Sequence, residues 1–236
     1  MSRSPFLLHH PPGRLFPPAR SIVPSADGLV ALGGPLTPDA LLEAYSKGIF
    51  PWEGDEPVPW FSPDPRCILR PQNFKASRSL RKLDRHGRYR VTADQCFRRV
   101  MQGCASIHRP GQRGTWISDR MIDAYEALHQ QGIGHSVEVW EGDALVGGIY
   151  GLSMGRAFFG ESMFSAVPSA SKLAMRHLCA TLQDWGFDFI DCQQHTPHLE
   201  SLGAETLTRM AYLDLLDDAL ESPDRWNPDG VSLLAI

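Results

Sequence analysis

The chain has 236 residues, 42% of them hydrophobic, with 23 Lys and Arg against 27 Asp and Glu and a formal net charge of -4. That length buries a sizeable core, as one large domain or one domain with a small companion, and no apolar run approaches the roughly 20 residues that cross a bilayer. Pro5, His9, His10, Pro11 and Pro12 stand where a signal peptide would carry its apolar stretch, so a soluble, cytosolic protein with no membrane association is expected.

The first 65 or so residues are rich in Pro and Gly and poor in periodicity. One helix stands out, with Thr37 as N-cap, Pro38 at the first helical position, LLEAYSK as its body and Gly48 at its end. Phe50, Pro51, Trp52, Trp60 and Phe61 then cluster ahead of the turn-rich Ser62-Pro63-Asp64-Pro65, a group that reads either as packing and turns or as a base-stacking platform.

From Ser77 onward helices and strands alternate. The pattern predicts a helix near 77–84, a strand at 88–92, a helix from Ala93 to about Cys104, and a helix capped by Ser118 and closed by Gly132. Between Lys75 and Arg113 there are eleven Lys and Arg against two acids, a local balance of +9 in a remainder of -13. Arg78, Arg81, Lys82, Arg85, Arg88 and Arg90 carry most of it, as a solvated helix face or as a phosphate-binding surface. Three strands follow in a row, HSVEVWE, ALVGGIYGLS and AFFGESMF, joined by tight turns at Glu141-Gly142-Asp143 and Met154-Gly155. A long helix from about Ser169 to Trp185 leads through Gly186 into the apolar strand FDFIDCQ, and the final helices begin near Pro197 and Arg209. A strand meander followed by a helix and a further strand predicts an α+β fold, a mixed sheet with helices packed on it. The five cysteines, odd in number and without a CxxC pair, speak against a disulfide framework and a structural zinc site; reduced, mostly buried thiols are expected. His135, His195 and His198 fall at no metal spacing.

Several strings together, DGLVALGGPLTPDALLEAYSKGIFPW, WFSPDPR, SRSLRK, TWIS, HSVEVWEGDALVGGIYG, GESMFS with SASK, and FIDCQQHTPHLESLGA, resemble the leucyl/phenylalanyl-tRNA-protein transferases from about Phe16 to Leu220. The resemblance implies a small N-terminal domain over 1–66 and an acetyltransferase-like (GNAT) catalytic domain over 67–236. It implies transfer of Leu or Phe, less readily Met, from leucyl-tRNA or phenylalanyl-tRNA to proteins beginning with Arg or Lys, which marks them for N-end-rule degradation. It also implies a monomer that uses no metal or nucleotide cofactor. Glu53-Gly54 and Gly33-Gly34-Pro35 depart from the family pattern, both in the N-terminal part.

The donor of such a reaction is an activated ester and the acceptor an α-amine with a pKa of roughly 7.7 to 8.0. Holding the two in attack geometry is the main demand, followed by removal of the amine proton and shelter for the oxyanion. Asp191 and Gln193, at i and i+2 of FDFIDCQ, emerge on one face and match the family's proposed relay, in which a carboxylate polarises an amide that accepts from the amine. An Asp at a strand end serves equally to cap a helix or hold a loop. Glu161 matches a family active-site position, where it would meet the acceptor's α-ammonium or its Arg or Lys side chain; an unpaired Glu among Phe158, Phe159, Met163 and Phe164 fits a cleft better than a core. Ile149, Phe158 and Met163 read as core or as a pocket for the donor side chain. Trp116 reads as a half-buried core Trp or as a stacking surface for the terminal adenine. The basic segment, with Arg78, Arg81, Lys82, Arg85 and Arg88, would hold acceptor-stem phosphates and make binding salt-sensitive. A conventional acetyl-CoA transferase would need a glycine-rich pyrophosphate loop where this chain has FSAVPSASK, and an RNA-binding module alone would leave Glu161, Asp191 and Gln193 without a purpose.

Overall fold

The computed structural model describes residues 6–8, 15–52, 57–107 and 115–227. The proline- and histidine-rich stretch His9 to Pro12, Pro5, the Glu53-Gly54 pair, and Arg109 and Arg113 of the basic segment lie outside the described residues. In chain order the elements are β1 (Phe6–Leu8), β2 (Leu29–Gly33), α1 (Pro38–Tyr45), β3 (Phe50–Pro51), β4 (Pro59–Phe61), β5 (Arg66–Leu69), α2 (Arg78–Arg85), β6 (Arg90–Ala93) and α3 (Phe97–Ser106). They continue with α4 (Asp119–Gln130), β7 (Gly134–Glu141), β8 (Ala144–Met154), β9 (Ala157–Ser165), α5 (Ala170–Asp184), β10 (Phe189–Gln193), α6 (Pro197–Ser201), β11 (Glu205–Leu207) and α7 (Arg209–Leu220).

Most helices begin where a hydroxyl can take an otherwise unpaired N–H. Thr37, Ser77, Ser118, Thr196 and Thr208 accept from Ala40, Leu80, Met121, Leu199 and Ala211 respectively. α5 differs. Its leading Ser169 has a φ of 70° and makes no side-chain cap, and the Ser165 hydroxyl accepts the Ser171 N–H at 2.8 Å instead.

Four short strands form a small N-terminal sheet in the order β1-β2-β4-β3, and seven form the main sheet in the order β11-β5-β10-β9-β8-β7-β6. In the main sheet β10 runs parallel to β9, and the other neighbours are antiparallel. Successive residues of the central strands alternate between two apolar layers. Ile149, Phe158 and Ile190 meet α5 through Leu173, Leu178 and Leu182, whereas Tyr150, Phe159 and Phe189 join Tyr45, Phe97, Tyr125 and Tyr212 from α1, α3, α4 and α7. The result is an α+β fold with a small N-terminal sheet and a mixed main sheet covered on both faces.

Three expectations change. The leading segment, expected to be irregular apart from one helix, contains β2, β3 and β4, each too short for periodicity to register. The helix expected from Ala93 starts at Phe97, because Ala93 still pairs with Val137 and Asp94 turns the chain at a φ of 58°. The strand expected over FDFIDCQ starts at Phe189 instead of Phe187, because the Phe187 and Asp188 N–H groups are already given to Leu182 and Arg156.

The β8–β9 register shifts between Tyr150 and Gly151, so that Glu161 is the extra residue of a bulge on β9. A Cβ on Gly151 would lie 2.1 Å from the Phe159 carbonyl oxygen and 2.6 Å from the Phe158 ring. Gly151→Ala is therefore expected to lower stability by about 1–3 kcal/mol through overpacking. Gly160→Ala, whose methyl would meet Ile190 at 3.2 Å, is expected to be milder. Urea midpoints of the two variants check this; equal midpoints would show that the bulge relaxes freely.

Candidate active site

β9 and β10 pair in parallel only from Ala157–Phe189 to Phe159–Asp191. Beyond that point they part, and a cavity of about 400 Å³ opens between Gly160–Ser165 on one wall and Cys192, Gln193, Thr196 and Leu199 on the other. Both strands bulge at the parting, β9 at Glu161 and β10 between Asp191 and Gln193. A second cavity of about 290 Å³ shares Glu161, Cys192, Gln193, Thr196 and Leu199 with the first and is otherwise walled by Phe50, Pro51, Trp52, Trp116 and Gln194. A carboxylate and an amide therefore stand where two adjoining hollows meet, one lined by aliphatic side chains such as Ile149, Met163 and Ile190 together with hydroxyls, and one walled by the aromatic side chains Phe50, Trp52 and Trp116.

The Glu161 carboxylate accepts from Tyr45 Oη at 2.6 Å, Tyr125 Oη at 3.2 Å and Gln193 Nε2 at 3.1 Å. The two phenols also touch each other. Burial pushes Glu161 up to about 7, against the stabilising bonds from the phenols. Both tyrosines are pushed well above their ordinary range by burial and by the carboxylate they face. An ionised carboxylate only accepts, so it draws the amide nitrogen of Gln193 and turns the amide carbonyl oxygen away from itself.

Asp191 sits one step deeper, fully buried. Arg66 grips it with two bonds, Nε to Oδ1 at 2.8 Å and Nη2 to Oδ2 at 2.6 Å, and Tyr212 Oη adds a third at 2.8 Å. The fourth donor is the backbone N–H of Gln193, at 3.0 Å, on a residue held at a φ of 58°. Arg66 itself also reaches the Gly48 carbonyl at 2.9 Å and lies over the rings of Phe50 and Tyr212. Burial alone would lower its pKa; the Asp191 carboxylate reverses that and keeps the guanidinium charged.

Of the residues singled out in the sequence, Asp191, Gln193, Glu161, Ile149, Met163 and Trp116 lie at or beside the two cavities, with differences in what touches what. Asp191 meets Gln193 through the backbone, and the carboxylate against the Gln193 amide is that of Glu161. Glu161 is not unpaired, because Tyr45 and Tyr125 hold it. Ile149 and Met163 are cross-strand partners in the first cavity. Phe158 lies outside both linings, in the part of β9 still covered by β10, with its ring stacked 5.8 Å from Trp226. Trp116 walls the second cavity together with Trp52, so part of the aromatic-proline cluster faces open space. Arg78, Arg81, Lys82 and Arg85 are exposed on α2 and Arg88 is exposed just beyond it; none of the five lines either cavity. α2 is fastened to α5 by Asp84, which binds Arg176 at 2.7 Å and His177 at 2.9 Å, and Arg88 pairs with Glu141 at 2.7 Å. Of the histidines, His198 lines the first cavity, His195 faces Glu200 at 3.4 Å, and His135 is stacked on Trp226.

Tyr45, Tyr125, Arg66 and Tyr212 were not singled out from sequence. Arg66 carried a signal, being a charge that opens the apolar string RCIL and so demands a buried partner. The tyrosines carried none, since each occupies an ordinary core position of its helix.

The sequence model described as leucyl/phenylalanyl-tRNA protein transferase matches residues 68–217, and the one described as that family's N-terminal domain matches residues 34–64. The leucyl/phenylalanyl-tRNA–protein transferase of Anaeromyxobacter sp. (strain K) is 50% identical over 208 residues, 86% of this chain and 89% of that protein. That of Nitrosospira multiformis is 49% identical over 216 residues, 90% of this chain and 93% of its own. Among solved structures, a GCN5-related N-acetyltransferase-like protein from Streptococcus suis aligns with 72% of this chain and 64% of its own at 13% identity and a TM-score of 0.35, too slight a likeness to add to the strand order above. Half of the aligned residues are shared over nearly the full length of such relatives, and both family segments are present in their expected order; the chain belongs to the leucyl/phenylalanyl-tRNA protein transferase family.

Proposed function

We propose that this chain moves Leu or Phe, and less readily Met, from aminoacyl-tRNA to the α-amine of proteins beginning with Arg or Lys, marking them for N-end-rule degradation. The observation that carries the reading is the Glu161–Gln193 pair standing where the two cavities meet in a chain of this family. The donor side chain enters the first cavity against Ile149 and Met163, with Phe158 backing the sheet behind them. An apolar pocket distinguishes side chains that differ by a methylene by only about 1–3 kcal/mol, which suits more than one donor. The terminal adenine stacks in the second cavity on Trp116 and Trp52, and Arg78, Arg81, Lys82, Arg85 and Arg88 meet acceptor-stem phosphates.

In the reaction the acceptor nitrogen attacks the ester carbonyl carbon; a C–N bond forms, the C–O bond to the ribose breaks, and the amine proton ends on the ribose oxygen. Gln193, turned by Glu161, accepts from the amine and aims its lone pair. Asp191 is a positioning residue that holds the Gln193 backbone. The proposal extends to a division into domains at 1–66 and 67–236, to action as a monomer, and to a cytoplasmic location; none of the described helices is long and apolar enough to cross a membrane.

Transfer of radiolabelled leucine from leucyl-tRNA to a protein with N-terminal Arg tests the reading, run beside acetyl-CoA as donor. Label from tRNA alone is the expected result. Acetyl transfer without leucine transfer would overturn it.

A further inference from the structure

All five cysteines are free thiols, and two of them are neighbours at the site. In the pairing of β10 with β5, Asp191 faces Ile68 and Gln193 faces Cys67, so Cys192 is the extra residue and stands with Gln193 against Cys67. Gln193 is the residue directly opposed to Cys67, at the Cα spacing of about 4.5 to 5.5 Å usual for antiparallel pairs; a bulge sets two residues against one, so Cys192 stands next to that pair, close to the roughly 4.4 to 6.8 Å window that a disulfide spans. The two thiols are close enough that each shifts the ionisation of the other, and the Cys192 thiol lies 3.7 Å from the Ile190 carbonyl oxygen. Cys192 is half-buried and lines both cavities, whereas Cys67 lies behind it, fully buried. Cys96, Cys104 and Cys179 sit on helices α3 and α5 or at their ends and line neither cavity.

We propose that Cys192 and Cys67 are an oxidative modification site: a peroxide joins them in a disulfide that switches aminoacyl transfer off, and a thiol reductant restores it. The effect on transfer rests on the function proposed above; the disulfide itself does not. In the first step the Cys192 sulfur attacks one peroxide oxygen. The O–O bond breaks, a sulfenic acid forms, and the released hydroxide takes the thiol proton as water. In the second the Cys67 sulfur attacks the Cys192 sulfur. The S–O bond breaks, the S–S bond forms, and the second water leaves with the Cys67 proton. Two thiols and one peroxide give one disulfide and two waters, each sulfur losing one electron. The adjacent Cys192 thiol holds the Cys67 thiol below its usual range, which suits it to the second step. The same contact, together with burial, raises Cys192, so the first step is slow and the pair answers sustained peroxide. Disulfides of intracellular proteins are usually of this transient, sensing kind.

The consequence follows from the chain order Asp191-Cys192-Gln193. Closing the bridge draws Cys192 out of the cavity wall and refixes the bulge that aims Gln193 at Glu161. A displacement of about 1 Å at a reacting centre lowers rates on the order of 10²-fold.

The test treats the purified full chain with hydrogen peroxide, alkylates the remaining thiols, and maps the digest by mass; leucine transfer is measured before treatment, after it, and after dithiothreitol. A peptide pair joined through Cys67 and Cys192, with transfer falling on the order of 10²-fold and recovering on reduction, is the expected result. Cys67→Ala is expected to transfer normally before peroxide and to form no such bridge. The inference is overturned if both thiols remain alkylatable, if Cys192 bridges to Cys179, or if the bridge forms and transfer is unchanged. Mapping in the unaltered chain decides the disulfide even if Cys67→Ala folds poorly. Absence of transfer before any peroxide would sink the functional reading instead, since the bridge is read by mass.

Discussion

Asp191→Ala is expected to lower the unfolding free energy by about 3–5 kcal/mol, the usual result of removing one partner from a buried ion pair. Against total stabilities of about 5–15 kcal/mol, that is enough to leave part of the protein unfolded. The substitution strands the Arg66 guanidinium, fully buried between the rings of Phe50 and Tyr212, with no counter-charge and only two neutral acceptors, the Gly48 carbonyl and the Tyr212 hydroxyl oxygen at 3.3 Å. It also removes the acceptor for the Tyr212 hydroxyl and the Gln193 N–H. Gln193→Ala, by contrast, removes a side chain whose bond to Glu161 faces the cleft. That variant is expected to change stability by about 1 kcal/mol, one net hydrogen bond, while transfer falls on the order of 10²-fold. Urea unfolding with parallel leucine transfer separates the two. If Asp191→Ala unfolds at the same urea concentration as the unaltered protein and yet transfers nothing, Asp191 acts on the reacting atoms and not through the fold. Replacing both partners, Asp191→Leu with Arg66→Met, is expected to recover part of the lost stability, because an apolar pair leaves no charge stranded.

That pair also marks where sequence reasoning stops. Arg66 and Asp191 are 125 residues apart, and Tyr45 and Glu161 are 116 apart; no periodicity links such positions. β7, β8 and β9 were legible because eight to eleven residues alternate between glycine turns at Gly142 and Gly155. β5 and β11, with four and three residues, offered no comparable pattern. Glu161, Gln193, Ile149 and Met163, singled out because polar groups in apolar strands need partners and the family strings surround them, line one cavity. Their contacts were not legible. The bulges at Glu161 and between Asp191 and Gln193 each insert one residue into an alternation of period two, and so decide which side chain meets which. Simple alternation counted from Phe158 would put Met163 on the other face; the bulge returns it to the same apolar layer.

Glu161→Gln is expected to remove one limb of the pH dependence of transfer and to lower transfer at pH 8 on the order of 10²-fold. In the folded protein burial raises Glu161 from its ordinary 4.5 to about 7. Below that pH the carboxyl carries a proton, and a protonated oxygen no longer commands the orientation of the Gln193 amide. Transfer by the unaltered protein should therefore rise through about pH 7 as the carboxylate forms, and again as the acceptor amine, with its pKa of roughly 7.7 to 8.0, loses its proton. Gln at 161 keeps an oxygen for Tyr45 and Tyr125 but cannot ionise, so only the amine's limb should survive in a kcat/KM profile. Stability runs the opposite way. With the folded value above the unfolded one, the folded protein binds the extra proton between pH 4.5 and 7, so the contribution is complete below that window and is lost as pH rises through it, by up to about 3 kcal/mol. Glu161→Gln should flatten that decline in urea unfolding. The site thus gives up stability in the same interval in which it gains the charge that aims Gln193. A variant that kept both pH limbs would show that the carboxylate of Glu161 does not govern transfer.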